Sequence, residues 1–186
     1  MIAAGAGVNA QPADELERDE LRAFLADTIA SADSFDDRYD AEVWLVDMST
    51  RLTRFVKDPE QRISLLKNIH REATRANVSP ELVLSVIEIE SHFKRFAISP
   101  VGAQGMMQVM PFWKNEIGRP DDNLTNIDTN LEYGCRILQF YINKKDGNLH
   151  RALAAYNGSS GSRVYSDKVY RVWLNRWRTV NLDWSY

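Results

Sequence analysis

Apolar residues recur along this chain with a helical period. From about Asp14, Leu16, Leu21, Phe24, Leu25 and Ile29 keep rough helical spacing among acids and arginines. Asp33-Ser34-Phe35-Asp36-Asp37 is a polar break with several candidate caps. Trp44, Met48, Leu52 and Phe55 then define one face of a second helix, which also carries Val43, Leu45 and Val46. Lys57-Asp58-Pro59-Glu60 ends it and opens a third, because proline is tolerated in a first turn. Ile63, Leu65, Leu66, Ile69 and Ala73 form the stripe of that helix.

The fourth helix changes character. Ser79-Pro80-Glu81 is a start signal: a capping hydroxyl, proline at the first position, an acid in the first turn. Leu82, Val83, Leu84, Val86, Ile87 and Ile89 then make most of its surface apolar, so the helix is buried. Glu90 follows Val86 by four residues and Ile87 by three, which sets it on their face. Glu88 lies about 200° away around the axis, so the two carboxylates do not form a paired-acid motif. A carboxyl on an apolar face loses solvation, its pKa rises, and it can hold a proton near neutral pH. The bland alternative is a structural Glu satisfied by backbone donors or an arginine.

Beyond Glu90 the pattern loosens. Phe93-Lys94-Arg95-Phe96 is a cationic and aromatic step that either contacts a ligand or seals the core. Ser99-Pro100 is extended, since the residue before proline avoids the helical region. Gly102 and Gly105 permit tight backbone, and the segment through Met106, Met107 and Gln108 reads as a short helix beside Glu90. Asp121 to Asp128 is a polar loop, with Asp128 as cap of a helix through Leu131, Tyr133, Cys135, Leu138 and Tyr141. Lys144 to Asn148 is a turn, and Leu149 to Tyr156 a short helix ended by Asn157-Gly158. Tyr165, Val169, Val172 and Trp173 suit a closing helix; Trp177 and Trp184 are a ligand platform or a terminal cover.

The 186 residues suffice for one sizeable core, with 44% hydrophobic and 26% charged residues as in ordinary globular domains. A net charge of −3 with dispersed basic residues gives no field or stripe for nucleic acid. No apolar run approaches the roughly 20 residues of a membrane helix. The single Cys135 falls in a helical apolar pattern and reads as a buried thiol. His70, His92 and His150 lack partners at metal-ligand spacing, and neither a phosphate-cradling loop nor a nucleophile elbow is present. No metal and no cofactor is expected.

Two ordered blocks decide the matter. Glu90-Ser91-x-Phe93 followed by Ala97-x-Ser99-x-x-Gly102-Ala103-x-Gly105-x-Met107-Gln108-x-Met110-Pro111 resembles the signature of the SLT-type (soluble lytic transglycosylase, goose-lysozyme-like) lytic transglycosylases. Ala152-Leu153-Ala154-Ala155-Tyr156-Asn157-Gly158 resembles the family's Ala-Tyr-Asn element, and the likeness spans roughly residues 76–175. It implies Glu90 as catalytic residue. It also implies Ser99 near the carboxyl and the substrate N-acetyl group, Gln108 and Met110 along the sugar subsites, Tyr156 approaching the reacting centre, and Asn157 among the substrate-binding residues. Asn130 loosely fits the Asn that the family places here in a cap-and-pack role. Ser159-Ser160-Gly161 departs from the commoner second glycine segment, and no Glu follows Tyr156, which removes any contact the family makes through that Glu.

The expected fold is all-α: a lysozyme-like catalytic section, residues 78–186, under a helical N-terminal layer, residues 13–77. Residues 1–12 are a disordered tail or a signal-peptide remnant, for which Val8-Asn9-Ala10 supplies the small-x-small end. The N-terminal layer packs on the catalytic part or docks a protein partner of the cell envelope or of a secretion assembly. The resemblance implies peptidoglycan glycan strands as substrate, in the bacterial periplasm or cell envelope. The implied reaction is non-hydrolytic cleavage between N-acetylmuramic acid and N-acetylglucosamine. A goose-type hydrolase would need an Asp to activate water, with Asp121, Asp122 and Asp128 as candidates. A non-catalytic glycan-binding module would make Glu90 structural.

Overall fold

The computed structural model describes residues 38–179, so the helix expected from Asp14, the tail before it, the break at Asp33–Asp37 and Trp184 lie outside the described residues. The chain divides into two units, residues 1–44 and residues 45–186. Of the first, only Arg38–Trp44 is described, the opening of helix α1 (Arg38–Leu52). The second holds the rest of α1, then α2 (Pro59–Arg75), α3 (Pro80–Ser91) and a short α4 (Trp113–Ile117). It continues through α5 (Ile127–Lys144), α6 (Leu149–Tyr156), α7 (Val164–Val172) and a π-helical turn, Trp173–Trp177. The fold class is all-α, as expected; the described residues contain no strand, only isolated bridges joining Gln104 to Ile98 and to Val109.

Local chemistry sets the helix ends. Asp58 caps α2 through its carboxylate, which accepts from Gln61 N–H at 2.8 Å. Ser79 caps α3 by accepting from Leu82 N–H at 3.3 Å, with Pro80 at the first position. Two expected ends move. The α1 helix stops at Leu52 and turns through Thr53–Phe55, which frees Phe55 to pack elsewhere. The cap of α5 is Asn126, which accepts from Thr129 N–H at 3.1 Å, and not Asp128. Asp128 sits inside the first turn and pairs with Arg71 of α2 at 3.1 Å.

The α3 helix is the centre of its unit, packed by α2, α7 and the π turn, while α5 packs on α2 and α6. Leu82, Val83, Leu84, Val86 and Ile87 are fully buried. Each contributes about 1.5–3 kcal/mol of transfer free energy, and truncating one, as in Leu84→Ala, would cost roughly 2–5 kcal/mol. The helix ends abruptly: His92 (φ 52°) and Phe93 (φ 62°) are both left-handed, a strain of about 1–2 kcal/mol per residue. Packing holds them there, for Phe93 is buried against Phe55 at 4.9 Å and Trp177 at 5.7 Å between centroids. This sharp exit leaves Glu90 in the last turn, beside open space.

Candidate active site

Glu90 is half-buried at the end of α3. Its Oε1 accepts a hydrogen bond from the Tyr165 hydroxyl of α7 at 2.6 Å, and the Asn157 side chain bonds the same carboxyl from the end of α6. Burial raises the Glu90 pKa above its ordinary value, and these two bonds, which favour the ionised form, only partly offset it. Burial and the nearby carboxylate push the Tyr165 hydroxyl well above the usual tyrosine range, so it stays protonated. The tyrosine can therefore donate to a carboxylate or accept from a carboxylic acid. Both protonation states of Glu90 have a partner.

Glu90 opens into a cleft of about 320 Å³. Asn157, Ser159, Ser162, Tyr165 and Lys168 share its walls, and Glu90 is the only acid among its lining residues. Asp122 is engaged elsewhere: it accepts from the Tyr133 hydroxyl at 2.5 Å and from Arg119 N–H at 3.0 Å, bonds that hold its carboxyl below the usual range. Asp128 is bound to Arg71.

The segment after Glu90 is not the short helix that its glycines and methionines suggested. Gly102 (φ 90°), Gly105 (φ 78°) and Gln108 (φ 50°) are left-handed, which no α-helix accommodates, and the chain folds into a double turn bridged at Gln104. Its own polar groups close it. The Ser99 hydroxyl accepts from Ala103 N–H at 3.0 Å, and the Gln108 amide donates to the carbonyls of Ala97 and Gly105 at 3.2 and 2.9 Å. Asn130, buried in α5, locks the turn from below. It accepts from Met107 N–H at 2.8 Å and donates to the carbonyls of Gln104 and Leu124 at 2.9 Å. A side chain at Gly105 would collide with the Asn130 amide and the Leu124 carbonyl. Tyr156 adds a tie from α6, its hydroxyl donating to the Met107 carbonyl at 2.7 Å. Burial pushes the pKa of that hydroxyl well up, and the Glu90 charge adds to the effect.

The structure thus joins Glu90 to Asn157 directly and sets Tyr156 within electrostatic reach of it. Ser99, Gln108 and the half-buried Met110 belong to the double turn and are not among the residues lining the Glu90 cleft. Met106 and Met107 are buried, as core filling requires. Sequence reasoning gave Tyr165 no part beyond the closing helix; its spacing with Val169 signalled a buried face but not what that face meets. Trp177 is fully buried and donates to Glu88 at 2.8 Å, so it is core and not a ligand platform. Among the described residues no His, Cys, Asp and Glu side chains gather as metal ligands, and no helix is long and apolar enough to cross a membrane.

Comparison with known proteins adds to this geometry. Membrane-bound lytic murein transglycosylase C of Shigella sonnei (strain Ss046) is 33% identical over 119 residues, covering 53% of this chain and 33% of that protein. Its namesake in Edwardsiella ictaluri (strain 93-146) is 30% identical over 119 residues, 54% of this chain and 33% of that protein. The chain spans about a third of the length of the curated relatives it matches. Among solved structures, an inactive mutant of the lytic transglycosylase Slt from Pseudomonas aeruginosa aligns with a TM-score of 0.47 and 22% identity, over 80% of this chain and 27% of that one. Residues 67–172 match the family model described as the transglycosylase SLT domain. They are more than half of the chain, and the chain belongs to that family.

Proposed function

We propose that the protein is a peptidoglycan lytic transglycosylase that cleaves the β-1,4 bond between N-acetylmuramic acid and N-acetylglucosamine without water, leaving 1,6-anhydro ends. The observation that carries this reading is a single carboxyl, Glu90, raised in pKa by burial and held by neutral donors in a cleft whose lining has no second acid. Glycosidases that work by hydrolysis generally use two carboxylates, one on either side of the scissile bond. Here one residue serves twice.

Protonated Glu90 gives its proton to the leaving glycosidic oxygen as the C1–O bond breaks. The substrate's own 2-acetamido group stabilises the cation at C1. The carboxylate, steadied by Tyr165 and Asn157, then takes the proton of the C6 hydroxyl, and the C6 oxygen bonds to C1. Glu90 ends protonated, ready for the next cycle, and a pKa raised above the ordinary carboxyl value suits both steps. Ser99, Gln108 and Met110 present the double turn to the sugars, with Ser99 on the N-acetyl side. Tyr156 and Asn157 complete the far wall. The catalytic section falls within residues 78–179, and the site of action is the bacterial cell envelope or periplasm, where peptidoglycan lies.

Digestion of purified peptidoglycan by the wild type and by Glu90→Gln, with the fragments weighed by mass spectrometry, tests the reading. Fragments one water lighter than hydrolytic products, with ends that resist borohydride, are expected from the wild type and absent from the variant. Reducible ends would make the protein a hydrolase, and equal release by the variant would remove Glu90 from the chemistry.

A further inference from the structure

A second hollow, of about 550 Å³, is larger than the Glu90 cleft and shares Ser162 with it. Lys145, His150, Arg151 and Arg163 stand on its walls, with Asn148 and Ser162 between them, and no acid is among the lining residues. The chain as a whole is net acidic, at −3. The fixed cations Lys145, Arg151 and Arg163 come from three separate segments: the turn after α5, the first turn of α6, and the loop before α7. They are not a run along one solvated helix face.

The fold does not neutralise all of them. Asp167 of α7 lies 3.4 Å from the Arg163 guanidinium, which also donates to His150 Nε2 at 3.1 Å, so Arg163 is partly balanced. His150 also stacks on Tyr170 at 4.1 Å and meets Ser166 Oγ at 3.1 Å, which fixes its ring. The side chains of Lys145 and Arg151 make no hydrogen bond or ion pair with the described residues. Unpaired cations gathered on a concave surface repel one another and focus a positive potential that attracts an anion. An arginine beside a lysine is a donor set for an oxyanion.

Resting on the reading proposed above, we infer that this hollow takes a carboxylate of the peptide stem carried by the glycan strand. The strand that fills the Glu90 cleft bears such peptides on its muramic acid, and the shared wall at Ser162 puts the hollow within a short step of the sugar. The hollow would then favour strands that still carry stems. The same oxyanion chemistry could be met by a phosphate.

The test compares kcat/KM on stem-bearing strands with kcat/KM on strands stripped of peptide by an amidase, for the wild type, Arg151→Glu and the double variant Lys145→Ala, Arg151→Ala. The wild-type preference for stem-bearing strands should fall about tenfold in Arg151→Glu, mainly through KM, and by less in the double variant. A ratio that does not move overturns the inference. A direct readout separates it from the activity. Amide NMR shifts of residues 145–163 should saturate with the free stem tripeptide in the wild type and not in Arg151→Glu. Saturation by inorganic phosphate without response to tripeptide overturns the stem assignment in favour of a phosphate site. Tripeptide binding by a protein that cleaves neither strand would uphold the hollow and sink the transglycosylase reading instead.

Discussion

The α3 helix carries two glutamates two residues apart, turned to opposite sides, and they have opposite surroundings. Glu88 is buried against a cation and an indole: Arg176 pairs with one oxygen, and Trp177 Nε1 donates to the other at 2.8 Å. Glu90 meets only neutral donors, the Tyr165 hydroxyl at 2.6 Å and the Asn157 side chain, beside an open cleft. Same residue, same helix, yet the first is bound to a fixed charge and the second is free to change its own. A carboxylate locked to a guanidinium is poor at returning a proton, since the pair is broken each time it does so. A carboxyl facing a tyrosine keeps a hydrogen bond in either state. What faces the side chain, and not its sequence neighbourhood, separates an acid locked to a charge from one that can change its own.

Swapping each acid for its amide breaks the comparison most directly. Glu90→Gln should lower the cleavage rate by roughly 10³–10⁴-fold, the scale of a lost general acid and base, with no loss of stability. Glu88→Gln should do the reverse, costing about 2–3 kcal/mol because Arg176 is left without its counter-charge, with activity per folded molecule preserved. Paired assays of rate and urea midpoint read both. A Glu88→Gln protein that is stable but inactive would invert the roles assigned here.

The double turn is anchored from below by one side chain of α5. Asn130 makes two hydrogen bonds to it, at Met107 and Gln104, and a third to the Leu124 carbonyl, so Asn130→Ala should destabilise by about 3 kcal/mol, since each orphaned backbone group costs roughly 1–3 kcal/mol and water recovers part. Because Gln104 to Met107 lose their anchor, KM for glycan should rise alongside. A drop in stability with KM unchanged would show that this wall does not hold substrate.

Helix α3 is legible in the sequence, because Ser79-Pro80-Glu81 and the run Leu82–Ile89 are local signals of cap, dipole and burial. The position of Glu90 on the apolar face followed from 3.6-residue periodicity alone. The double turn was not legible as such: Gly102 and Gly105 announced special backbone, but Gln108 at φ 50° is a non-glycine residue held left-handed while its own amide bonds the carbonyls of Ala97 and Gly105. The cap of α5 went to Asn126 because Asp128 is drawn to Arg71, a residue 57 positions away. Tyr165 escaped notice for the same reason. It is 75 residues from Glu90, and no period or spacing encodes a contact of that range. Local rules reached the elements and the acid; the partners that set its chemistry are long-range.

Tyr165→Phe sharpens the contrast by removing one neutral donor and leaving the packing. The hydroxyl lowers the Glu90 pKa against burial, so its loss should raise that pKa further and move the alkaline limb of the pH–rate profile upward. The rate at neutral pH should fall about tenfold, the worth of a charge-assisted bond of roughly 1.4 kcal/mol in the second step, where the carboxylate is the base. A profile that keeps its limb while the rate falls would make Tyr165 a substrate contact instead.

The smallest effect is on stability, and its sign separates Glu90 from the other perturbed group in the unit. Glu90 has a native pKa above its ordinary 4.5. Between that value and its raised one, the folded protein binds more protons than the unfolded chain, so stability falls as pH rises through the window. His70 acts in the opposite direction: burial lowers its pKa from 6.5 to about 4. The unfolded chain then binds more protons, and stability is lost as pH falls through that range, by up to about 3 kcal/mol at ~1.4 kcal/mol per pKa unit. The two windows overlap, so the wild type alone shows only their difference. Glu90→Gln keeps His70 and deletes the other contribution. Urea midpoints measured from pH 4 to 8 should therefore coincide for the two proteins at the acid end and diverge above it, with the variant the more stable at pH 8. Curves that stay parallel across the range would mean that Glu90 ionises as freely in the folded protein as in the unfolded chain, and its burial would then carry no proton for the reaction.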